Sequence, residues 1–272
     1  MDYSNLEGFI FLDGKMVKWS DAKLHVLSHG LHYASSVFEG ERVYKGKVFK
    51  EQEHTDRLIR SAKTLGFNIP YSSKEIKAIR RDVLIANKID DGYIRPVSWR
   101  GSEMMGISAQ TNTIHFALAA WKWPSYFSPE AKLKGIKLNI SKWRRPDPLT
   151  APVNTKASGL YMICTLSKHE AESKGYDDSL MLDYRGYIAE ATGANVFFIK
   201  DNEIHTPIAD CFLDGITRQT IIKIARTEGY KVEEKRLNIE DMSDYEECFV
   251  TGTAAEVTPV KSIADYQFKP GN

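Results

Sequence analysis

Apolar and polar positions alternate with period two over residues 8–19 and again over 38–50, about Asp13-Gly14 and Lys45-Gly46, dipeptides suited to tight turns. Two hairpins are predicted, so the chain opens in antiparallel β. The period then lengthens. Leu58, Ile59, Ala62 and Leu65 recur at helical spacing in EQEHTDRLIRSAKTLGF, as do Ile76, Ile79, Val83, Leu84 and Ala86 in SSKEIKAIRRDVLIANKI, where Ser72 or Ser73 is the N-cap. Two helices covering the first sheet are expected. Strands follow near 92–100 and 112–121. Lys122 to Pro129, with two prolines among aromatics, reads as a linker.

Beyond a strand near 135–143, SKWRRPDPLTAPVNT is an irregular run with three prolines that ends at Lys156, from which a helix is predicted to about Lys174. Short strands then alternate (178–184, 187–190, 195–199, 203–206), followed by a helix opened by Asp214-Gly215-Ile216-Thr217 and running to Gly229, and by strands near 232–237, 246–251 and 256–262. This order is neither a βαβ succession nor all-β, and no repeat or low-complexity tract interrupts it. The predicted class is α+β with two sheets.

The chain has 272 residues, enough for two lobes and a sizeable core, and a cleft between lobes is where a ligand is expected. Domains are expected at 1–121 and 135–272, with 122–134 as the connecting loop. Lys and Arg number 37 against 36 Asp and Glu, interspersed, so nothing in the charge favours nucleic acid or a membrane surface. Small molecules are the expected partners. Cys164, Cys211 and Cys248 are widely separated and lack metal-ligand spacing, which favours a reducing compartment. With no basic-then-apolar leader and no run near the ~20 apolar residues of a membrane span, the expectation is a cytoplasmic protein.

The chemistry concentrates in two segments, Asn154-Thr155-Lys156-Ala157-Ser158-Gly159-Leu160-Tyr161 and Glu190-Ala191-Thr192-Gly193-Ala194-Asn195-Val196-Phe197. Together they read as a pyridoxal 5'-phosphate (PLP) site: a lysine to hold the aldehyde, a tyrosine for the phenolic oxygen and a carboxylate for the ring nitrogen. Small residues after Glu190 would let backbone approach a flat ring. Each residue also has an ordinary reading: Lys156 as a solvated lysine, Tyr161 as a core aromatic, Glu190 as a strand-end acid in water. Gly215-Ile216-Thr217 at a helix start offers free N–H groups to a phosphate, with Arg57 and Thr253 as further donors. Motifs for dinucleotides, P-loop nucleotides, zinc proteases and serine hydrolases are missing. His29 and His32 lack a third ligand, so no metal site is expected.

The pattern resembles the class IV aminotransferases, PLP enzymes of fold type IV, and most closely their branched-chain amino acid branch. The matching segments are HGLHYASSVFEGERVY, EHTDRLIRSAK, GYIRP, NTKASGLY, EATGANVFF, DGITRQTI and GTAAEVTPV, in order along nearly the whole chain. The resemblance implies an N-terminal α/β sandwich and a C-terminal pseudo-barrel, the arrangement of D-amino acid aminotransferase-like enzymes, in a homodimer or higher homo-oligomer. It also implies that Lys156 carries the cofactor and shuttles a proton, that Tyr161 bonds the phenolic oxygen and Glu190 the pyridine nitrogen with Asn195 in support, and that Arg57, Ile216, Thr217 and Thr253 hold the phosphate.

For the substrate, the resemblance implies that Tyr93 and the Thr253-Ala254 turn take the α-carboxylate. Phe38, Tyr33, Tyr126 and Trp123 would wall the side-chain pocket, Tyr33 reaching the partner's site, and Arg95 would bind the distal carboxylate of glutamate. The implied reaction transfers the amino group of leucine, isoleucine or valine to 2-oxoglutarate, giving branched 2-oxo acids and glutamate. A D-amino acid or amine transaminase, or an aminodeoxychorismate lyase-like enzyme, would use the same cofactor residues, and a non-catalytic PLP-binding protein would keep the fold. The stretch VSWRGSEMMGISA departs from the family pattern at Trp99, Arg100 and the methionines. The chain stops at KPGN, where relatives usually continue into a terminal helix, so the expectation is that this helix is absent, its segment missing or disordered.

Overall fold

The computed structural model describes residues 2–123 and 127–271, so Tyr126 lies outside the described residues. Two compact units divide the chain, Met1–Pro124 with Thr155–Gly159, and Ser125–Asn154 with Leu160–Asn272. No helix among the described residues is long and apolar enough to cross a membrane.

In the first unit the elements are β1 (Phe9–Leu12), β2 (Lys15–Lys18), α1 (His29–Tyr33), β3 (Ser36–Phe38), β4 (Glu41–Tyr44), β5 (Lys47–Val48), α2 (Glu51–Thr64), α3 (Ser73–Ala86), β6 (Gly92–Arg100) and β7 (Ile114–Trp121). They build a seven-stranded sheet in the order β2-β1-β7-β6-β4-β5, with β3 also paired to β6. Both predicted hairpins form. Asp13 and Gly14 take φ of 45° and 89°, Lys45 and Gly46 take 48° and 73°. Two successive positive φ values are what a two-residue turn needs to match the twist of its strands.

Helix α3 begins with a reciprocal cap: Glu75 N–H donates to Ser72 Oγ while Ser72 N–H donates to the Glu75 carboxylate. Its apolar face, Ile76, Ile79 and Val83, joins Leu58 and Ala62 of α2 over Val37, Ile94, Phe116 and Leu118 of the sheet. The helical and strand periods thus meet in one core. Helix α1 and strand β3 have five and three residues, too short for periodicity to announce. His29 is buried between Ser35 Oγ (2.6 Å) and Gly106 O (3.0 Å), a structural histidine.

The second unit contains α4 (Pro129–Lys134), β8 (Ile136–Arg145), α5 (Met162–Ser173), β9 (Asp178–Asp183), β10 (Ile188–Ala191), β11 (Asn195–Lys200), β12 (Glu203–Pro207), α6 (Ile216–Thr227), β13 (Val232–Lys235), β14 (Glu247–Gly252), β15 (Glu256–Ile263) and β16 (Tyr266–Gln267). Its nine-stranded sheet runs β10-β9-β8-β15-β14-β11-β12-β13, with β16 on β15. Because β10 also pairs with β11, six strands close into a ring. This is the pseudo-barrel, filled by Leu138, Leu180, Val196, Phe198, Val250 and Val260. Closure leaves those strands no free edge.

Lys156 does not start a helix. Ala157 makes an antiparallel bridge with Val37, and Lys156 uses its carbonyl to accept from Phe38 N–H. Those pairings hold residues 155–157 against β3, so helical structure starts only with a 3-10 turn at Ser158–Tyr161, ahead of α5. Tyr161 ends that turn, and no continuous helix separates it from Lys156.

A buried charge network joins the β3–β4 connection to α2. Glu39, fully buried, accepts from Arg57 Nε (2.5 Å), Arg57 NH2 (2.9 Å) and Gly40 N–H (3.2 Å), and lies 2.7 Å from His54 Nδ1. Burial pushes its carboxyl up, but Arg57 and His54 outweigh burial and hold it well below the usual carboxylate range. Glu41, paired with Arg80 Nε at 2.6 Å, shifts the other way because burial wins. A depressed acid contributes stability that is complete above its unfolded pKa, about 4.3, and is lost as pH falls below it. Glu39→Gln is expected to cost about 3–5 kcal/mol at neutral pH, since it strands a buried arginine. It should also flatten the decline in urea midpoint below about pH 4.3. An unchanged acid limb would refute this role.

Candidate active site

The first unit fixes the lysine by its backbone. Lys156 N–H donates to Ser61 Oγ on α2 (3.1 Å), and its carbonyl accepts from Phe38 N–H (3.2 Å). On its C-terminal side Ser36 Oγ meets Ser158 Oγ at 2.8 Å. The Cα is thereby held by both a strand and a helix, which leaves only side-chain torsions to place the amine. Half-buried, Lys156 Nζ lies 4.8 Å from the centre of the Phe38 ring.

Around Phe38 the sheet gathers three more of the residues named from sequence. Tyr93 and Arg95 are two apart on β6 and so share a face. The Arg95 guanidinium sits 4.7 Å from the Phe38 ring centre, and its NH2 donates to Tyr93 Oη at 3.1 Å. Trp123 packs edge-on to Tyr93 at 4.6 Å. Tyr93 needs Gly40: a Cβ there would collide with its hydroxyl oxygen. Burial holds the Tyr93 phenol above its usual range, so it stays protonated and can donate. Arg95 Nε is buried without a hydrogen-bond partner among the described residues. An orphaned guanidinium donor in an aromatic setting suits an anionic ligand.

Tyr33 and Arg57 sit differently. Tyr33, half-exposed at the end of α1, stacks on His29 and donates to Met105 O at 3.1 Å. Arg57 commits two nitrogens to Glu39. Trp99 and Arg100 are structural within this unit: Trp99 stacks on His115, and Arg100 donates to Ala109 O and Gly66 O.

The second unit holds the carboxylate. Glu190 on β10 faces Asn195 on β11 across the closure of the ring. Asn195 Nδ2 donates to Glu190 Oε2 (3.2 Å) and to Leu213 O (3.1 Å). The other oxygen, Oε1, pairs with Arg145 Nε at 3.4 Å, and both side chains are buried. Burial would lower the Arg145 pKa, but Glu190 and its neighbours outweigh burial and raise it. Arg145 also donates to Leu160 O and to the Cys164 thiol. Nothing in SKWRRPDP distinguished it from Arg144.

Two loops close on the same point. A Cβ at Gly215 would collide with Asn195 Oδ1, and one at Gly252 would lie 3.2 Å from Gly193 O. The start of α6 and the turn carrying Thr253 and Ala254 therefore both abut the β10–β11 connection. Gly215 is the N-cap of α6 and no side chain caps that end, so the first amides, including those of Ile216 and Thr217, have no side-chain acceptor. An uncapped helix start beside a buried carboxylate can bind an anion at one end of a ligand and a protonated nitrogen at the other. Tyr161 belongs to this unit, half-buried at the start of α5.

The model of the amino-transferase class IV family matches residues 36–263. A Rickettsia bellii protein named "Probable branched-chain-amino-acid aminotransferase" is 49% identical over 255 residues, covering 94% of this chain and 87% of that protein. Among solved structures, a branched-chain amino acid aminotransferase from Escherichia coli superposes with a TM-score of 0.93 at 40% identity, over 96% of this chain and 88% of that one. An aminotransferase from Brucella abortus bound to the cofactor PLP gives 0.87 at 30%, over 98% and 95%. With its two-sheet α+β architecture and closed six-strand ring, the chain belongs to the class IV aminotransferase family.

Proposed function

We propose that this protein is a cytoplasmic homodimer that transfers the amino group of leucine, isoleucine or valine to 2-oxoglutarate, with PLP as cofactor. The observation that carries the reading is the buried Glu190–Asn195 pair beside the uncapped start of α6. Those groups suit the two ends of PLP, a pyridine nitrogen and a phosphate. The similarity to a structure solved with PLP supports the same cofactor, and the names of the relatives support the substrate class.

When bound, PLP supplies a carbonyl that exchanges for an amine and a ring that accepts the electrons left when the substrate Cα loses its proton. The chain does the rest. Lys156 would hold the cofactor through Nζ, and the same amine would take and return the proton of the substrate Cα. Glu190, held by Asn195 and Arg145, keeps a proton on the ring nitrogen. Tyr161 bonds the phenolic oxygen, while the amides of Ile216 and Thr217, the Thr253 hydroxyl and Arg57 neutralise the phosphate. Tyr93 and the Ala254 turn take the α-carboxylate. Phe38 and Trp123 wall the pocket, and Arg95 at its rim receives the second carboxylate of the acceptor. A rim arginine lets one apolar pocket accept a charged chain without burying an unpaired charge when leucine is bound.

Dimerisation has its own support in the first unit. Leu24, Val26, Leu27, Leu31 and Tyr33 crowd one short stretch and are each 45% to 68% exposed. Such a patch is costly to leave in water. Tyr33 would then serve the partner's site.

Adding L-leucine to PLP-loaded enzyme should shift the absorbance from that of the aldehyde to that of the amine form, while D-alanine should not. Turnover of D-alanine without L-leucine would replace this reading with a D-amino acid transaminase. Borohydride treatment should label Lys156, and label on another lysine would refute the site. Arg95→Gln is expected to raise KM for 2-oxoglutarate about 10- to 100-fold, as for loss of a charge-assisted bond, and to leave KM for leucine within about threefold. Gly215→Ala pushes on Asn195 and should weaken PLP retention about 10- to 100-fold with an unchanged circular dichroism spectrum. Wild-type retention would contradict the close approach.

A further inference from the structure

Strands β12 and β13 form the outer end of the second unit's sheet, beyond the closed ring. They pair in parallel, with His205 directly opposite Glu233, and Glu203 lies two residues before His205 on the same face. One imidazole and two carboxylates therefore converge, their ligating atoms within 4.8 Å of one another. His205 is 6% exposed, and its Nε2 has no hydrogen-bond partner among the described residues. That nitrogen points between the acids, 3.5 Å from Glu203 Oε2 and 3.6 Å from Glu233 Oε2.

The distances separate two explanations. A protonated imidazole bonded to a carboxylate draws it to about 2.7–2.9 Å. Ligands held at 2.0–2.2 Å around one tetrahedral ion stand about 3.3–3.6 Å from each other. The two separations from His205 Nε2, 3.5 and 3.6 Å, match the second spacing. On the far side of the ring, Nδ1 lies 2.8 Å from Tyr245 Oη, a contact that can accept the Nδ1 proton and leave the Nε2 lone pair facing the acids. The group opens into a surface pocket lined by acids (Asp201, Asp241, Asp244) and by the cations Lys200, Lys235 and Arg236, with Lys200 3.2 Å from Asp244 and Lys235 3.9 Å from Glu233 Oε2, so an ion reaches the site from solvent past side chains of both signs.

We propose that Glu203, His205 and Glu233 form a binding site for a divalent transition ion of the zinc class, completed by water and supported by Tyr245. The ion would tie the edge strand β13 to β12 and, through Tyr245, to the segment that leads into β14. Lys231, which donates to both Glu203 oxygens at 2.9 and 2.8 Å, must swing away as the ion enters. It is exposed, so the movement meets water and not packed side chains. None of these residues belongs to the cofactor or substrate assignments.

Zinc is titrated calorimetrically into the PLP-loaded enzyme and cobalt is followed by visible absorption, for wild type, His205→Ala, Glu233→Gln and Tyr245→Phe. Wild type should bind one ion per chain saturably, with visible bands from bound cobalt. Glu233→Gln and His205→Ala should each lose about 100-fold or more in affinity, and Tyr245→Phe about 10- to 100-fold. Leucine transamination should be unchanged in Glu233→Gln. If His205→Ala fails to fold, Glu233→Gln, an exposed position, decides alone. No saturable binding by wild type would overturn the proposal. So would binding undiminished in Glu233→Gln, which would place the ion elsewhere, as at Asp183, Asp210 and Cys211.

Discussion

The ring of the second unit closes through one antiparallel pair, Glu190 opposite Asn195, and the same two side chains form the buried acceptor of the candidate site. Structure and chemistry therefore share a constraint. If β10 slipped by one residue against β11, every side chain on it would change face, and Glu190 would turn away from Asn195 and Arg145. The hydrophobic filling of the ring opposes that slip, because Ile188 and Ala191 on β10 and Val196 and Phe198 on β11 are buried in the core. Packing thus sets the position of the acid that the chemistry needs.

Much of this fold was legible where periodicity is strong and turns carry their own chemistry. The hairpins at Asp13-Gly14 and Lys45-Gly46 and the helices at Glu51–Thr64 and Ser73–Ala86 follow from local pattern alone. Helix α1, strand β3 and helix α4 do not, because each is shorter than the window that periodicity requires. The extended conformation around Lys156 could not be read either. It arises from pairing with Val37 and Phe38, residues more than a hundred positions earlier, and such tertiary pairing overrides local helix preference.

The site divides along the same line. Residues inside compact motifs were found: Glu190 and Asn195 meet, Phe38, Tyr93, Arg95 and Trp123 cluster, and the starts of α6 and of the Thr253 turn abut the β10–β11 connection. Arg145 was missed. Strand β8 changes register against β9 between Ile140 and Arg144, which breaks the alternation that would have marked Arg145 as inward. Glu39 was missed for another reason: it was read as part of a motif, whereas its structural role is to clamp Arg57 inside the first unit.

The two units supply different kinds of control. The first holds the Lys156 amine and the Arg95 guanidinium on rigid sheet and helix, with the Glu39–Arg57 and Glu41–Arg80 charges buried in pairs. The second holds a buried carboxylate, Glu190, against a neighbouring guanidinium, Arg145. The most direct test of the second role is nitrogen-15 NMR of the enzyme loaded with PLP labelled at the ring nitrogen. A protonated pyridinium signal in wild type that becomes neutral in Glu190→Ala is the predicted result. A neutral nitrogen in wild type, or one that stays protonated without Glu190, would contradict the account.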